Sequence, residues 1–305
     1  MPLAPEYDAM LKQLAAQPGP AMSDLPPSAG REMYRMMRPV IAEVPIGSIE
    51  NRTIQGSRGD IGLRIYRPAT SGKKPVYLNY HGGGWVIGDL DTADVACRDL
   101  AVHLDCIVVS VDYRLAPEHL FPAAVDDSYE ALCWVAANQD AWGCNGKILV
   151  GGESAGGNLA AVMCLRARDQ GGPAITAQVL LYPVTDADLS RDSYRRNGEG
   201  YLLSLDTMRW FWDTYCPADQ RTHAWASPLR AISLSGLPPA VIATAEFDPL
   251  CDEGAAYAGA LAAAGVSVTY TCYAGLIHDF AATAGMFPCS RTAVNDVYAA
   301  VKRYL

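Results

Sequence analysis

Two glycine-rich segments of this chain have residue types that point to chemistry. One is Gly152-Glu153-Ser154-Ala155-Gly156-Gly157 and the other is His81-Gly82-Gly83-Gly84-Trp85. Residues 147–150 read as a buried strand and residues 158–163 as a helix, so Ser154 falls on the tight turn between them. Such a turn strains the backbone at the serine and needs minimal neighbours, which Gly152 and Gly156 provide. The second segment follows another strand-like run, 76–80, and its glycines let bare backbone N–H groups approach a substrate oxygen. A hydroxyl nucleophile and donors preset for a developing oxyanion are the two halves of an acyl-transfer site.

Serine is a weak nucleophile without an oriented base. The histidines are His81, His103, His119, His223 and His278. In this type of turn the chain order is serine, acid, histidine, which leaves His223 and His278. His223 lies in an aromatic-rich insertion, whereas His278 follows the last strand-like run, where a loop can return over the carboxyl edge of a sheet. His278 is the expected base. Asp248, at the end of the preceding strand, is the expected acid, with Glu246 and Asp252 as rivals. Asp252 opens a helix, where a carboxylate suits the dipole. The N–H groups of Gly83, Gly84 and Ala155 are the expected oxyanion hole, Ala155 standing where a helix leaves its donors unpaired. His81 is expected to brace the glycine loop through the backbone, and no spacing suggests a metal ligand set.

These groups need a frame. Strand-like runs fall at 48–54, 61–67, 76–81, 106–112, 147–151, 177–182, 240–245 and 266–273, and helical stretches at 93–104, 123–137, 158–170 and 252–264. From the third strand on the runs are continuously apolar, as in a parallel sheet covered on both faces. The first two are interspersed with polar residues and joined by Gly56-Ser57-Arg58-Gly59-Asp60, an antiparallel hairpin at one edge. The expected fold class is α/β, an eight-stranded, mostly parallel sheet with helices on both faces. The expected division is a catalytic domain of residues 44–185 and 227–305, with a helical cap made of residues 1–43 and the insertion 186–226. Met33, Tyr34, Trp85, Leu203 and Trp210 are the candidate pocket residues, since flexible methionine and rigid aromatics suit apolar clefts.

The chain has 305 residues, half of them apolar, enough for one large α/β core. Its net charge of −9 and lack of a basic stripe argue against nucleic acid as a partner. No apolar run approaches membrane-spanning length, and the N-terminus, with its acids and prolines, does not read as a secretory leader. Nine cysteines form no C-x-x-C pair, so neither zinc nor a dithiol site is suggested and a reducing cytoplasm is expected. A monomer or homodimer fits as well as any other state.

The whole pattern resembles the hormone-sensitive-lipase family of α/β-hydrolases, in its bacterial carboxylesterase branch. The resemblance rests on the two glycine segments, on Asp112-Tyr113-Arg114-Leu115-Ala116-Pro117-Glu118-His119, Phe121-Pro122-Ala123-Ala124 and Ala226-Ser227-Pro228-Leu229, and on Asp248-Pro249-Leu250-Cys251-Asp252-Glu253-Gly254 with the His278 loop. It implies a covalent acyl-enzyme, no cofactor, a lid built from the N-terminal segment and the insertion, and short to medium acyl chains. Three positions depart from the family pattern: Glu153 where aspartate is usual, Cys251 where arginine is common, and Asp279 where glycine is common. Glu153 is expected to support the loops with His81, and Asp279 to raise the pKa of His278.

The leading expectation is a serine carboxylesterase. An amidase or deacetylase would use the same triad. A non-catalytic small-molecule binder on this fold, like the related plant hormone receptors, would lack the histidine that His278 supplies. A dehydratase would need a changed oxyanion loop, and Ser154 excludes an aspartate-nucleophile epoxide hydrolase.

Overall fold

Polar–apolar alternation at the start of the sheet gives way to uninterrupted apolar strands, and the architecture follows that change. The computed structural model describes residues 2–17, 19–38 and 44–305. Two helices come first, α1 (Pro5–Ala16) and α2 (Pro27–Met37), each opened by proline at a position where a helix needs no N–H donor. β1 (Ser48–Gly56) and β2 (Gly59–Arg67) form an antiparallel hairpin in register from Ser48↔Arg67 to Gly56↔Gly59, its turn tighter than the five-residue link expected. β3 (Lys74–Tyr80) is buried at every position. It is followed by α3 (Asp94–Leu104), β4 (Ile107–Asp112), α4 (Ala123–Asn138), β5 (Cys144–Glu153), α5 (Ala155–Gln170) and β6 (Ala177–Leu181). The insertion carries α6 (Asp192–Asn197) and α7 (Leu205–Tyr215); β7 (Ala240–Phe247), α8 (Cys251–Ala263), β8 (Val268–Ile277) and α9 (Pro288–Val301) complete the chain.

The eight strands form one sheet in the order β1-β2-β4-β3-β5-β6-β7-β8. β1–β2 and β2–β4 pair antiparallel, the rest parallel. Successive side chains of a strand point to opposite faces. Val76, Leu78 and Tyr80 therefore join a core with Leu132 of α4, Leu159 of α5 and Leu261 of α8, while Tyr77 joins another with Cys97 of α3 and Val297 of α9. Each fully buried aliphatic side chain contributes about 1.5–3 kcal/mol, so both faces hold the central strands in place. Helix α9 is absent from the expected elements because its inward face is mostly small, Ser290, Ala293, Val294, Val297, Ala300 and Val301 beside Tyr298, which gives a faint apolar signal.

The N-terminal segment divides its attachments. Tyr7 of α1 is fully buried and bonds Thr283 at 2.6 Å and Ser290 at 2.7 Å, which fixes α1 against α9. Helix α2 reaches the loop after β3, through Arg31 to Val86 and Arg35 to Asp89. The expected boundary at residue 43 lies outside the described residues. At the base of the insertion, Asn158 Nδ2 donates to both Val184 and Ala226 carbonyls at 2.9 Å, joining its two ends. Glu253 adds a second tie, accepting from Thr185 N–H at 2.8 Å and Tyr194 hydroxyl at 3.1 Å. Among the described residues no helix is long and apolar enough to cross a membrane.

Candidate active site

Ser154 lies between β5 and α5 with φ 55° and ψ −116°, a backbone conformation that costs roughly 1–3 kcal/mol for a residue other than glycine. Its N–H donates to Leu181 carbonyl at 2.9 Å, and its carbonyl accepts from Asn158 at 3.0 Å and Val184 at 3.2 Å. The turn crosses β3 so closely that a Cβ on Gly152 or Gly156 would strike the Tyr80 carbonyl. The glycines are thus required by the neighbouring strand as well as by the turn itself.

Asp248 follows β7 and is completely buried; His278 follows β8 and is 8 % exposed. His278 Nδ1 lies 2.7 Å from Asp248 Oδ2. The other carboxylate oxygen accepts the Leu250 N–H at 2.8 Å. Nδ1 therefore carries the proton, and Nε2 presents its lone pair away from the acid. The rivals are engaged elsewhere: Asp252 binds Ser193 N–H at 2.7 Å, Glu246 accepts from Gly275 N–H at 2.9 Å, and His223 is exposed. Burial lowers the pKa of His278, but the Asp248 charge and hydrogen bond, followed by Asp279 and Glu153, outweigh it and leave it raised.

Gly83 and Gly84 turn the loop after β3 with φ of 114° and 56°. Among the described residues, the N–H groups of Gly83, Gly84 and Ala155 donate to no protein acceptor. Three such donors beside a serine can stabilise a negatively charged oxygen. His81 holds the loop from below, its Nδ1 2.7 Å from Gly82 carbonyl and its ring stacked on Tyr113 at 4.2 Å. Burial pushes its pKa down to about 4, so it stays neutral. The Phe211 ring of α7 closes over Gly84, and a Cβ there would overlap it. Gly84→Ala is expected to lower kcat roughly 10²–10³-fold, the typical cost of losing one oxyanion donor, since the loop must retreat from both Phe211 and the left-handed region. Wild-type turnover in that variant would place the oxyanion elsewhere.

The α/β-hydrolase fold family matches residues 77–282. The chain belongs to the α/β-hydrolase family. Carboxylesterase NlhH of Mycobacterium tuberculosis is 44% identical over 90% of this chain and 88% of its own length. Ethyl acetate hydrolase of Pseudomonas putida is 41% identical over 72% of this chain and 70% of its own. A thermostable esterase from Pseudomonas putida ECU1011 superposes with a TM-score of 0.96 at 39% identity, covering 100% of this chain and 98% of that one. Such relatives place it in the hormone-sensitive-lipase-like branch, among carboxylic ester hydrolases.

Helix α2 of this hydrolase meets the site through arginines that the pocket reading passed over. Arg31 and Arg35 stand at i and i+4 on one face of α2, and Arg38, at i+7, follows as its C-cap. Arg31 donates to the Val86 and Ala116 carbonyls at 2.9 Å each, Arg35 to Asp89 at 2.6 Å, and Arg38 to Asp279 at 2.7 Å. The glycine loop and the histidine loop are thereby strapped to the same helix. The spacing of the arginines was the available signal. By contrast, Met36 and Met37 are 80% and 49% exposed.

Asp279 explains one departure from the family pattern. Its φ is 65°, where glycine is at ease and aspartate is one of the tolerated exceptions. Its carboxylate, paired with Arg38 and 3.4 Å from the Tyr182 hydroxyl, still raises the pKa of His278. A base works only unprotonated, so a higher pKa moves the acidic limb of the pH–rate profile to higher pH. The groups facing His278 are Asp248, Asp279, Glu153, Tyr182 and, through Asp279, Arg38. Asp279→Gly is expected to move the limb in kcat/KM to lower pH and Arg38→Gln to higher pH. Movement in the same direction, or none, would refute this coupling.

The remaining candidates scatter. Tyr34 lies beneath the Arg38 guanidinium at 4.2 Å, and Trp210 packs toward Gly30 of α2. Met33 is half-buried on that helix and Leu203 is buried at the start of α7's approach. Trp85 packs against α7. It is completely buried, stacked on Tyr215 at 4.3 Å and tilted against Trp212 at 5.0 Å, because φ 61° at this residue turns the ring inward. Glu153 ends β5, next to Ser154. It lines a cavity of about 200 Å³ on the α3–α9 face, with Tyr77, Asn79 and Asp99. Burial and then the Asp279 charge raise its pKa, against Arg38 and His278.

Proposed function

We propose that the protein hydrolyses short- to medium-chain carboxylic esters with Ser154 as nucleophile, His278 as general base and acid, and Asp248 as the group that orients and stabilises the imidazolium. His278 Nε2 takes the Ser154 proton as Oγ attacks the ester carbonyl carbon. The oxyanion of the tetrahedral intermediate is held by the N–H groups of Gly83, Gly84 and Ala155. The imidazolium then protonates the leaving alcohol, and an acyl-enzyme remains on Ser154. Water, deprotonated by Nε2, repeats the attack and releases the acid and the free serine. No step calls on a cofactor or metal.

The observation that carries the assignment is the buried His278–Asp248 pair at 2.7 Å, which commits Nδ1 and leaves Nε2 as a base. A binding protein on this fold has no use for that arrangement. Helices α2 and α7, meeting through Gly30 and Trp210, support a cap over Ser154 formed by residues 19–38 and 186–226, with α1 outside it. The name of the ethyl acetate hydrolase relative and the Phe211 ring over Gly84 support small acyl groups. Nine free thiols support a cytoplasmic location, as a monomer or homodimer.

Hydrolysis of p-nitrophenyl esters from acetate to palmitate tests the reading. Activity is expected to peak at short chains and decline steeply toward palmitate. A palmitate optimum would overturn the acyl preference, and failure on every ester would overturn ester hydrolysis.

A further inference from the structure

Cys251 opens α8 and Cys272 lies in β8, 21 positions apart, with no sequence motif joining them. The fold brings their sulfurs to 3.6 Å. Of the nine cysteines Cys272 alone is exposed; Cys251 is half-buried beside it. β8 is the last strand of the sheet, so an attacking reagent reaches Cys272 without parting two strands. Thr244 of β7 pairs with Cys272 in register, and its hydroxyl lies 3.9 Å from Cys251 Sγ and 3.0 Å from the Tyr270 hydroxyl.

We propose that Cys251 and Cys272 form a thiol–disulfide exchange site for low-molecular-weight disulfides, with Cys272 as the attacking sulfur and Cys251 as the resolving one. The hydrogen bond from Cys251 holds the Cys272 pKa below that of an ordinary thiol, while Cys251, the partner that keeps its proton, is raised. The Cys272 thiolate attacks one sulfur of the small disulfide. A mixed disulfide forms and the other half leaves as a thiolate, which takes up a proton. Cys251 loses its proton to solvent and attacks the Cys272 sulfur, expelling the second half as a thiolate that is protonated in turn. The small disulfide is reduced to two thiols, and the protein dithiol is oxidised to one disulfide.

The pair is set beside the catalytic acid. Cys251 N–H donates to the Asp248 carbonyl at 3.1 Å, and β8 runs on toward His278. A link between Cys251 and Cys272 would therefore tie together the two elements that carry Asp248 and His278. Closure to a disulfide length of about 2.05 Å needs only a small approach of sulfurs already in contact.

Incubation with oxidised glutathione, alkylation and peptide mass mapping tests the site. Free thiols are expected to fall from nine to seven in the wild type, with a single Cys251–Cys272 linked peptide. Cys251→Ser is expected to stop at one glutathionyl group on Cys272, and Cys272→Ser to leave Cys251 unmodified. Melting temperatures near that of the wild type would verify that both variants fold. Nine unreacted thiols, a Cys272–Cys272 link between two chains, or a glutathionyl group persisting on Cys272 in the wild type would each overturn the proposal.

Discussion

Ser154→Ala is expected to lower kcat by roughly 10⁶-fold with the fold intact. The bonds from Ser154 to Leu181, Asn158 and Val184 run through its backbone, so alanine keeps the bonds that hold the turn. Both residues pay a similar strain at φ 55°, which leaves the melting temperature near that of the wild type. What disappears is the Ser154 hydroxyl, the proposed nucleophile that His278 and the N–H groups of Gly83, Gly84 and Ala155 are proposed to serve. A residual rate above that of water, on the order of 10³–10⁴-fold, should persist from the oxyanion hole and binding alone. Parallel p-nitrophenyl acetate kinetics and thermal melts check both halves. A folded variant with even a hundredth of wild-type turnover would remove Ser154 from the role of nucleophile.

Asp248→Asn is expected to cost about 10⁴-fold in kcat, for a reason readable in its hydrogen bonds. One carboxylate oxygen accepts the Leu250 N–H at 2.8 Å and the other faces His278 Nδ1 at 2.7 Å. The amide of asparagine will keep its carbonyl on Leu250 and turn its NH₂ toward the ring. Nδ1 must then accept, the proton moves to Nε2, and the base has no lone pair for Ser154. The variant is isosteric, so geometry survives while the tautomer is wrong. Asp252→Asn and Glu246→Gln are the controls; each should stay within a few-fold of wild type, because their partners are Ser193, Arg196 and the Gly275 backbone. If Asp252→Asn proved as damaging as Asp248→Asn, the acid would be wrongly assigned.

Much of this protein is written in local pattern. Mostly apolar runs of strand length marked the central strands β3 to β7, since a strand covered on both faces of a sheet favours apolar residues, while polar-interspersed runs marked the edge hairpin β1–β2. The serine turn was legible because the tight strand-to-helix turn at Ser154 favours minimal side chains at Gly152 and Gly156, a demand that the close passage of β3 then reinforces. His278 and Asp248 were singled out by the chain order serine, acid, histidine and by their positions after successive strands, and the fold sets their side chains 2.7 Å apart.

Other features depend on which surfaces meet. Periodicity says that a strand is buried and not which neighbour buries it, so the insertion of β4 between β2 and β3 was not readable. Trp85 looked like a pocket wall beside a glycine loop, yet the turn of one dihedral sends its ring under α7. The pairing of Arg31, Arg35 and Arg38 with residues 54–241 positions away, and the meeting of Cys251 with Cys272, arise only when α2 meets the loops after β3 and β8 and α8 meets β8. The chemistry this chain can perform was determined by short-range constraint on its backbone. How that chemistry is held, screened and tuned was decided by the tertiary structure, because charge pairs and sulfur contacts reach across distances in sequence that no local pattern spans.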